Sequence, residues 1–215
     1  LSKKLESFRQ EEKMFMGLSF DTISAAGSNA AMCHYNHKNQ KNPGKLEVNS
    51  IYLVDSGGQY LDGTTDITRT ISIKSPTDEA KRAFTLVMKG HIALAKAVFP
   101  KGTSGQQLDP LARQFLWENG MDYDHGTGHG VGHFLNVHEG PQGVGKKGSP
   151  THLEEGMVIS NEPGFYEDGK FGFRCENLVS VKKVKSIGKL ETLGFENLTM
   201  VPFDKNLMNF DLMTK

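Results

Sequence analysis

Cysteine is scarce in this sequence. Cys33 and Cys175 are the only two in 215 residues, and both stand in contexts that read as interior strand. That excludes the disulfide framework of a small secreted domain and favours reduced thiols in the cytoplasm over a single bridge. Long apolar runs are missing too: none approaches the roughly 20 residues that span a bilayer, and no charged-then-apolar leader precedes the first element. Nor is there an excess of charge of one sign. Lys plus Arg and Asp plus Glu each total 25, and the basic patch KKVK at 182–185 is short, so no field for nucleic acid or a membrane surface is evident. Low-complexity segments, linkers and short-period repeats are absent as well. A small or neutral partner suits such a balance. The first residue is Leu1, not Met, which reads as a fragment with any upstream domain or targeting segment out of view.

What is present is enough to bury a core. With 37% hydrophobic and 23% charged side chains, residues 1–215 read as a single domain or two intimate halves. A helix-like apolar stripe (Leu1, Leu5, Phe8, Met14, Phe15) is ended by Gly17. The runs SIYLVDSGGQY (50–60) and TTDITRTISI (64–73) predict two strands forming a hairpin around LDG, with Asp55 and Asp66 on them. Ser75 as N-cap and Pro76 at the first helical position open a helix that runs to Pro100, weakened but not ended by Gly90. A further helix fits GQQLDPLARQFLWENG (105–120), and strands return at 156–166, 171–184 and 197–203. The fold class is α+β, with a largely antiparallel sheet and no domain boundary.

Four of the eight histidines fall between residues 125 and 138, in DHGTGHGVGHFLNVHEGP (124–141). His125 and His129 have the spacing of a zinc-protease helix, but Gly126, Gly128, Gly130 and Gly132 each cost that helix roughly 1 kcal/mol relative to Ala, and the expected Glu is missing. Alternating glycine predicts an extended segment where backbone and ligand approach closely, with His125, His129 and His133 on one face. His37, His91 and His152, by contrast, read as ordinary surface or hydrogen-bonded residues. Acidic residues give a second signal: Asp55 follows IYLV, Asp66 lies in TTDITRT, Glu162 follows MVISN and Glu176 sits in FRCEN. A carboxylate at the end of a buried strand is expensive unless it is paired or holds a cation. Four carboxylates balance two divalent cations, and one neutral His completes an oxygen-rich donor set suited to Mn²⁺, with Co²⁺, Zn²⁺ and Fe²⁺ also compatible. A two-metal hydrolytic site, activating water and polarising a scissile carbonyl, follows as the expected chemistry.

The segments AAGSNAAMCHY, YLVDSGGQYLDGTTDITRT, HGTGHGVGHFLNVHEGP and SNEPGFYEDGKFGFRCENL, in this order and separation, resemble the successive motifs of the Xaa-Pro aminopeptidase (aminopeptidase P) branch of the M24 metallopeptidases. The resemblance implies the pita-bread fold, two pseudo-symmetric αβ halves around a curved antiparallel sheet. It implies that Asp55, Asp66, His129, Glu162 and Glu176 hold two metal ions, usually Mn²⁺, with Asp66 and Glu176 bridging. His34, His125 and His138 correspond to the family's active-site histidines, and Glu162 also to its proton shuttle. Tyr166 and Arg174 would lie near the metals or substrate and Arg69 would support them, whereas His133 stands where relatives carry small residues and receives no role. The implied activity is removal of an N-terminal residue preceding proline, on peptide substrates with proline second. The alternatives are a prolidase restricted to Xaa-Pro dipeptides and a non-catalytic peptide-binding module; the latter typically loses ligands, and all five are present here. Longer relatives carry one or two further domains before this region and often a tail after it, and a homodimer of the full-length protein is compatible with the resemblance.

Overall fold

Three α-helices, four short 3-10 helices and fourteen short strands form among the residues described, 1–147 and 150–213 of a computed structural model. In chain order the α-helices and strands are α1 (Ser2–Gln10), β1 (Phe15–Leu18), β2 (Ile23–Ala26), β3 (Ile51–Ser56), β4 (Gly58–Tyr60), β5 (Gly63–Thr64), β6 (Ile67–Ser72), α2 (Asp78–Ala95), β7 (Val98–Pro100), α3 (Gly105–Trp117), β8 (Gly128–His129), β9 (Gly143–Val144), β10 (Val158–Asn161), β11 (Gly164–Glu167), β12 (Phe171–Arg174), β13 (Asn177–Val184) and β14 (Thr192–Asn197). Every strand pairing is antiparallel. The largest sheet has the order β10-β13-β14-β7, and a three-stranded sheet has the order β2-β3-β6.

The predicted hairpin around LDG is present in two tiers. β3 pairs with β6 from Ile51↔Ser72 to Ser56↔Ile67, and β4 with β5 at the tip. Asp55 lies on β3, whereas Asp66 lies one residue ahead of β6 and not on a strand. The long runs predicted at 156–166 and 171–184 are each broken once. β10 pairs with β13 up to Asn161↔Asn177, and β11 pairs with β12 from Gly164↔Arg174. The residues between, Glu162–Pro163 and Cys175–Glu176, bend one long hairpin and are tied by the Cys175 N–H to the Pro163 carbonyl (3.1 Å). Pro163 has no N–H to give the ladder, so a break there is expected. Cys175 is thus buried at a bend, and Cys33 is half-buried in a turn, so neither is a strand residue; both are free thiols.

Other boundaries differ for local reasons. α1 stops at Gln10 because Phe15 instead pairs with Tyr60 across β1 and β4, their rings 5.7 Å apart. Thr77, not Ser75, caps α2: its Oγ1 accepts the Ala80 N–H at 3.2 Å, while Pro76 disfavours helical geometry at the residue before it. Val98 and Phe99 leave the helix to cover the edge of β14. No strand forms at 198–203, where the Arg69 side chain takes the carbonyls of Val201 (2.5 Å) and Pro202 (3.3 Å) in place of a neighbouring strand. The third α-helix matches expectation, with the Ser104 N–H donating to Gln107 Oε1 (2.8 Å) at its start and Gly120 at φ +67° beyond its end.

Two cores result. Phe84, Val87 and Met88 of α2 pack with Leu116, Phe171 and Phe173, and Leu94 with Leu108, Ala112, Ile159 and Val179 form the second. The helices cross where Gly90 meets Ala112: a Cβ on Gly90 would lie 2.0 Å from the Ala112 carbonyl oxygen. Gly90→Ala gains about 1 kcal/mol of helix propensity but forces the two helices apart, at about 1–3 kcal/mol or more. A fall in Tm of several degrees is expected by differential scanning fluorimetry, and a rise would contradict this close crossing.

Candidate metal centre

Sequence composition around His129 sets its position. A Cβ on Gly128 would lie 1.8 Å from the Ser160 carbonyl oxygen, and one on Gly130 would lie 2.0 Å from that of Glu139. Gly128 and Gly130 therefore serve close approach of protein backbone to protein backbone. The His129 N–H donates to Ser160 Oγ (2.9 Å), whose hydroxyl donates to Glu162 Oε1 (2.9 Å), so a single serine spaces both residues. His129 Nδ1 lies 3.0 Å from the Gly130 carbonyl, which can only accept, so Nδ1 carries a proton and Nε2 faces the carboxylates. Nε2 is 3.2 Å from Glu162 Oε1 and 3.4 Å from Asp66 Oδ2.

Asp66, His129 and Glu176 present ligand atoms that all lie within 4.8 Å of one another. Glu176 accepts from Thr68 Oγ1 at 2.7 Å. Asp55 Oδ2 accepts from Arg174 Nη2 at 2.6 Å, while its Oδ1 is buried with no hydrogen-bond partner. Asp55, Asp66, Glu162 and Glu176 line one cavity of about 290 Å³ with His34, His138 and Arg174. Electrostatics mark the carboxylates as misplaced without a counter-charge. Burial, then the charges of Asp55 and Glu162, push Asp66 up to about 6. Burial and the neighbouring carboxylates push Glu176 well above its usual range. Burial also works to raise Glu162, but the hydrogen bond and charge of His129 outweigh it and hold the group down at about 2. His129 in turn is opposed by burial yet raised to about 11 by Asp66 and Glu162. Buried carboxylates at this separation, an orphaned Asp55 oxygen and one imidazole nitrogen form a donor set that fits divalent cations.

The metallopeptidase family M24 matches residues 1–183. The chain belongs to metallopeptidase family M24. Its relatives include "Probable Xaa-Pro aminopeptidase P" proteins of Botryotinia fuckeliana (55% identical) and Sclerotinia sclerotiorum (56% identical), each aligned over 99% of this chain but only 33% and 36% of their own length. The chain thus spans about a third of these relatives. Among solved structures, X-prolyl aminopeptidase of Caenorhabditis elegans, described as a cytosolic enzyme with a di-nuclear active site, superposes with a TM-score of 0.96 at 42% identity, over 100% of this chain and 35% of that one. Prolidase of Pyrococcus furiosus superposes with a TM-score of 0.78 at 30% identity, over 94% of this chain and 55% of that one. The fold is the pita-bread fold of these enzymes.

Within this M24 chain, the residues expected from sequence do not all fall in one place. Asp55, Asp66, His129, Glu162, Glu176, His34, His138 and Arg174 share one cavity, and the His138 ring packs edge-on against that of His129 at 4.2 Å. His125 and Tyr166 are not on that cavity wall. They connect to it through Arg174, which donates to the Tyr166 oxygen (2.8 Å), while the Tyr166 hydroxyl is 2.8 Å from His125 Nε2. His125 Nδ1 lies 2.8 Å from the Gly126 carbonyl, so Nδ1 bears the proton and Nε2 accepts from Tyr166. His133 departs from the shared face expected of it. It lines a separate cavity beside Gly63 and Tyr60, because the segment after Val131 turns away from the extended course. Arg69 supports from behind, donating to the Glu176 carbonyl and to Asn177 Oδ1. His91 is a buried hydrogen-bonded residue as expected, with Nδ1 3.1 Å from the Asn161 carbonyl. Ser160 and Thr68 were not anticipated. Their signal was a hydroxyl residue on a strand two places from an acidic one.

Proposed function

We propose that this chain is the catalytic part of a metal-dependent aminopeptidase that hydrolyses the Xaa-Pro bond at the N-terminus of peptides. Asp55, Asp66, His129, Glu162 and Glu176 would hold two divalent cations, with Mn²⁺ the ion favoured by so oxygen-rich a set. The reading is carried by the convergence of Asp66, His129 and Glu176 to within 4.8 Å, with Asp55 and Glu162 on the same cavity. It is supported by likeness to an enzyme described as having a di-nuclear active site. Such cations, when bound, supply Lewis acidity toward a carbonyl and lower the pKa of water.

The chain's own groups do the remaining work. The Glu162 carboxylate, on the wall of the same cavity, would accept the proton of the attacking water and pass it to the proline nitrogen as the C–N bond breaks. His34 and His138 stand exposed at the cavity, where an imidazole N–H can hold the substrate and stabilise the tetrahedral oxyanion. Arg174 fixes Asp55 by its short contact and satisfies Tyr166. A cytoplasmic setting belongs to the same proposal, supported by the free thiols and by the worm enzyme's description as cytosolic. No helix among the described residues is long and apolar enough to cross a membrane.

Hydrolysis of Xaa-Pro-Xaa and Xaa-Pro peptides, before and after chelation and Mn²⁺ addition, tests the reading. Tripeptide cleavage that is lost on chelation and restored by Mn²⁺ is expected. Cleavage of dipeptides alone would replace the reading with a prolidase, and activity indifferent to chelation would remove the metal from it.

A further inference from the structure

We infer that a buried brace, made of Asp109 and Arg113 on α3 with Thr127 just ahead of β8, positions His125 and the Glu162 backbone for the proposed peptidase reaction, on which reading this inference rests. Asp109 and Arg113 stand one helical turn apart and are each only 1% exposed. Arg113 Nε donates to Asp109 Oδ2 at 2.8 Å. An ion pair taken so far from water gives little net stability over packed apolar side chains, so where its remaining hydrogen bonds go is informative. They go to one segment. Arg113 Nη1 donates to Asp122 Oδ1 (2.8 Å) and the Tyr123 carbonyl (2.6 Å), and Nη2 donates to the His125 carbonyl (2.9 Å).

Asp109 holds the other end of that segment. Its Oδ1 accepts from Thr127 Oγ1 at 2.5 Å, and because the Thr127 proton is thereby committed, the Tyr123 hydroxyl donates to Thr127 Oγ1 at 2.6 Å. The Arg113 guanidinium also lies 3.8 Å from the centre of the Tyr123 ring, which in turn packs against the His125 ring at 4.9 Å. His125 is thus gripped at its carbonyl by Arg113 and along its ring by Tyr123, leaving Nε2 to meet Tyr166. Thr127 extends the grip to the centre itself, since its carbonyl accepts the Glu162 N–H at 2.8 Å. Nothing in this set touches the cavity that holds the carboxylates. Asp109, Arg113 and Thr127 are therefore positioning residues that act through His125 and Glu162.

Thr127→Val keeps the shape of the side chain and removes the hydroxyl that joins Asp109 to Tyr123, and Thr127→Ser keeps the hydroxyl. A double variant, Asp109→Leu with Arg113→Met, replaces the ion pair by apolar groups and leaves no unpaired charge. Each is made in the intact protein with ¹⁵N-labelled imidazoles. In metal-free wild type, His125 is expected to show one fixed tautomer with a slowly exchanging Nδ1 proton. Thr127→Val and the double variant are expected to lose that signature, and with Mn²⁺ to lose roughly ten- to a hundredfold in kcat at little change in KM, whereas Thr127→Ser retains both. Retention of the tautomer signature and of kcat in folded Thr127→Val would overturn the inference, as would failure of Thr127→Ser to restore them. If Thr127→Val fails to fold, the double variant is judged by the same two outcomes. The imidazole signature is read without metal or substrate, so a wild-type protein that shows it but cleaves no peptide would contradict the peptidase reading and not the brace.

Discussion

Asp66→Asn is expected to remove turnover by more than about a thousandfold while leaving the metal-free fold as stable as before or more so. Both halves follow from one side chain. Asp66 is 5% exposed and sits among Asp55, Glu162 and His129, and its carboxyl is pushed from 3.8 to about 6 by burial ahead of its neighbours' charges. A shift of about two pH units corresponds to about 3 kcal/mol against the ionised form at neutral pH, a cost that the amide does not bear. That figure is already net of the favourable charge contact with His129, 3.4 Å away. The same substitution removes a charge needed to balance two divalent cations. Thermal melts in the presence of chelator, Mn²⁺ content by elemental analysis and peptide hydrolysis separate the effects. Near-normal turnover with a full complement of Mn²⁺ would sink the role given to Asp66.

The site was more legible in the sequence than the elements that carry it. A carboxylate after an apolar run is conspicuous wherever the strand happens to end, so Asp55, Asp66, Glu162 and Glu176 stood out although only Asp55 lies within a strand. Where strands stop depends on partners far along the chain. Nothing local to 171–184 says that β12 and β13 pair with different strands, and nothing local to 197–203 says that Arg69 will satisfy those carbonyls. Periodicity likewise could not see that Phe15 would choose Tyr60 over a last turn of helix. The glycines around His129 were legible as a demand for space, but not as to what fills it, because Ser160 reaches Gly128 from 32 residues away and Glu139 reaches Gly130 from 9, only once the chain has folded. His133 shows the limit of parity arguments: an extended segment keeps alternate side chains on one face only while it stays extended.

A metal-free protein that must store protons leads to the second large effect, a gain in heat stability on adding Mn²⁺ that grows with pH. Ligand at a hundred to a thousand times its Kd contributes about 3–4 kcal/mol, or roughly 5–15 °C in Tm for a domain of this size. Without cations, His129 is raised to about 11. Its contribution is complete below about 6.5, the ordinary His value, and declines as pH rises toward 11. Asp66, raised to about 6, acts in the same direction but earlier: its penalty builds as pH rises from 3.8 and is nearly complete just above 6, so the loss from pH 6 to 8 comes mainly from His129. Glu162, held down at about 2, gives stability that is lost only as pH falls from about 4.5 through 2, outside this window. The metal-free chain therefore loses stability from pH 6 to 8. A cation needs His129 neutral and the carboxylates ionised, so binding releases protons and tightens over the same interval. Melts with and without Mn²⁺ at pH 6, 7 and 8 should show a widening gap, and titration calorimetry at pH 6 in buffers of different ionisation enthalpy should show net proton release. A gap that narrows with pH, or binding with no proton released, would mean that Mn²⁺ is held somewhere other than among these four carboxylates and His129.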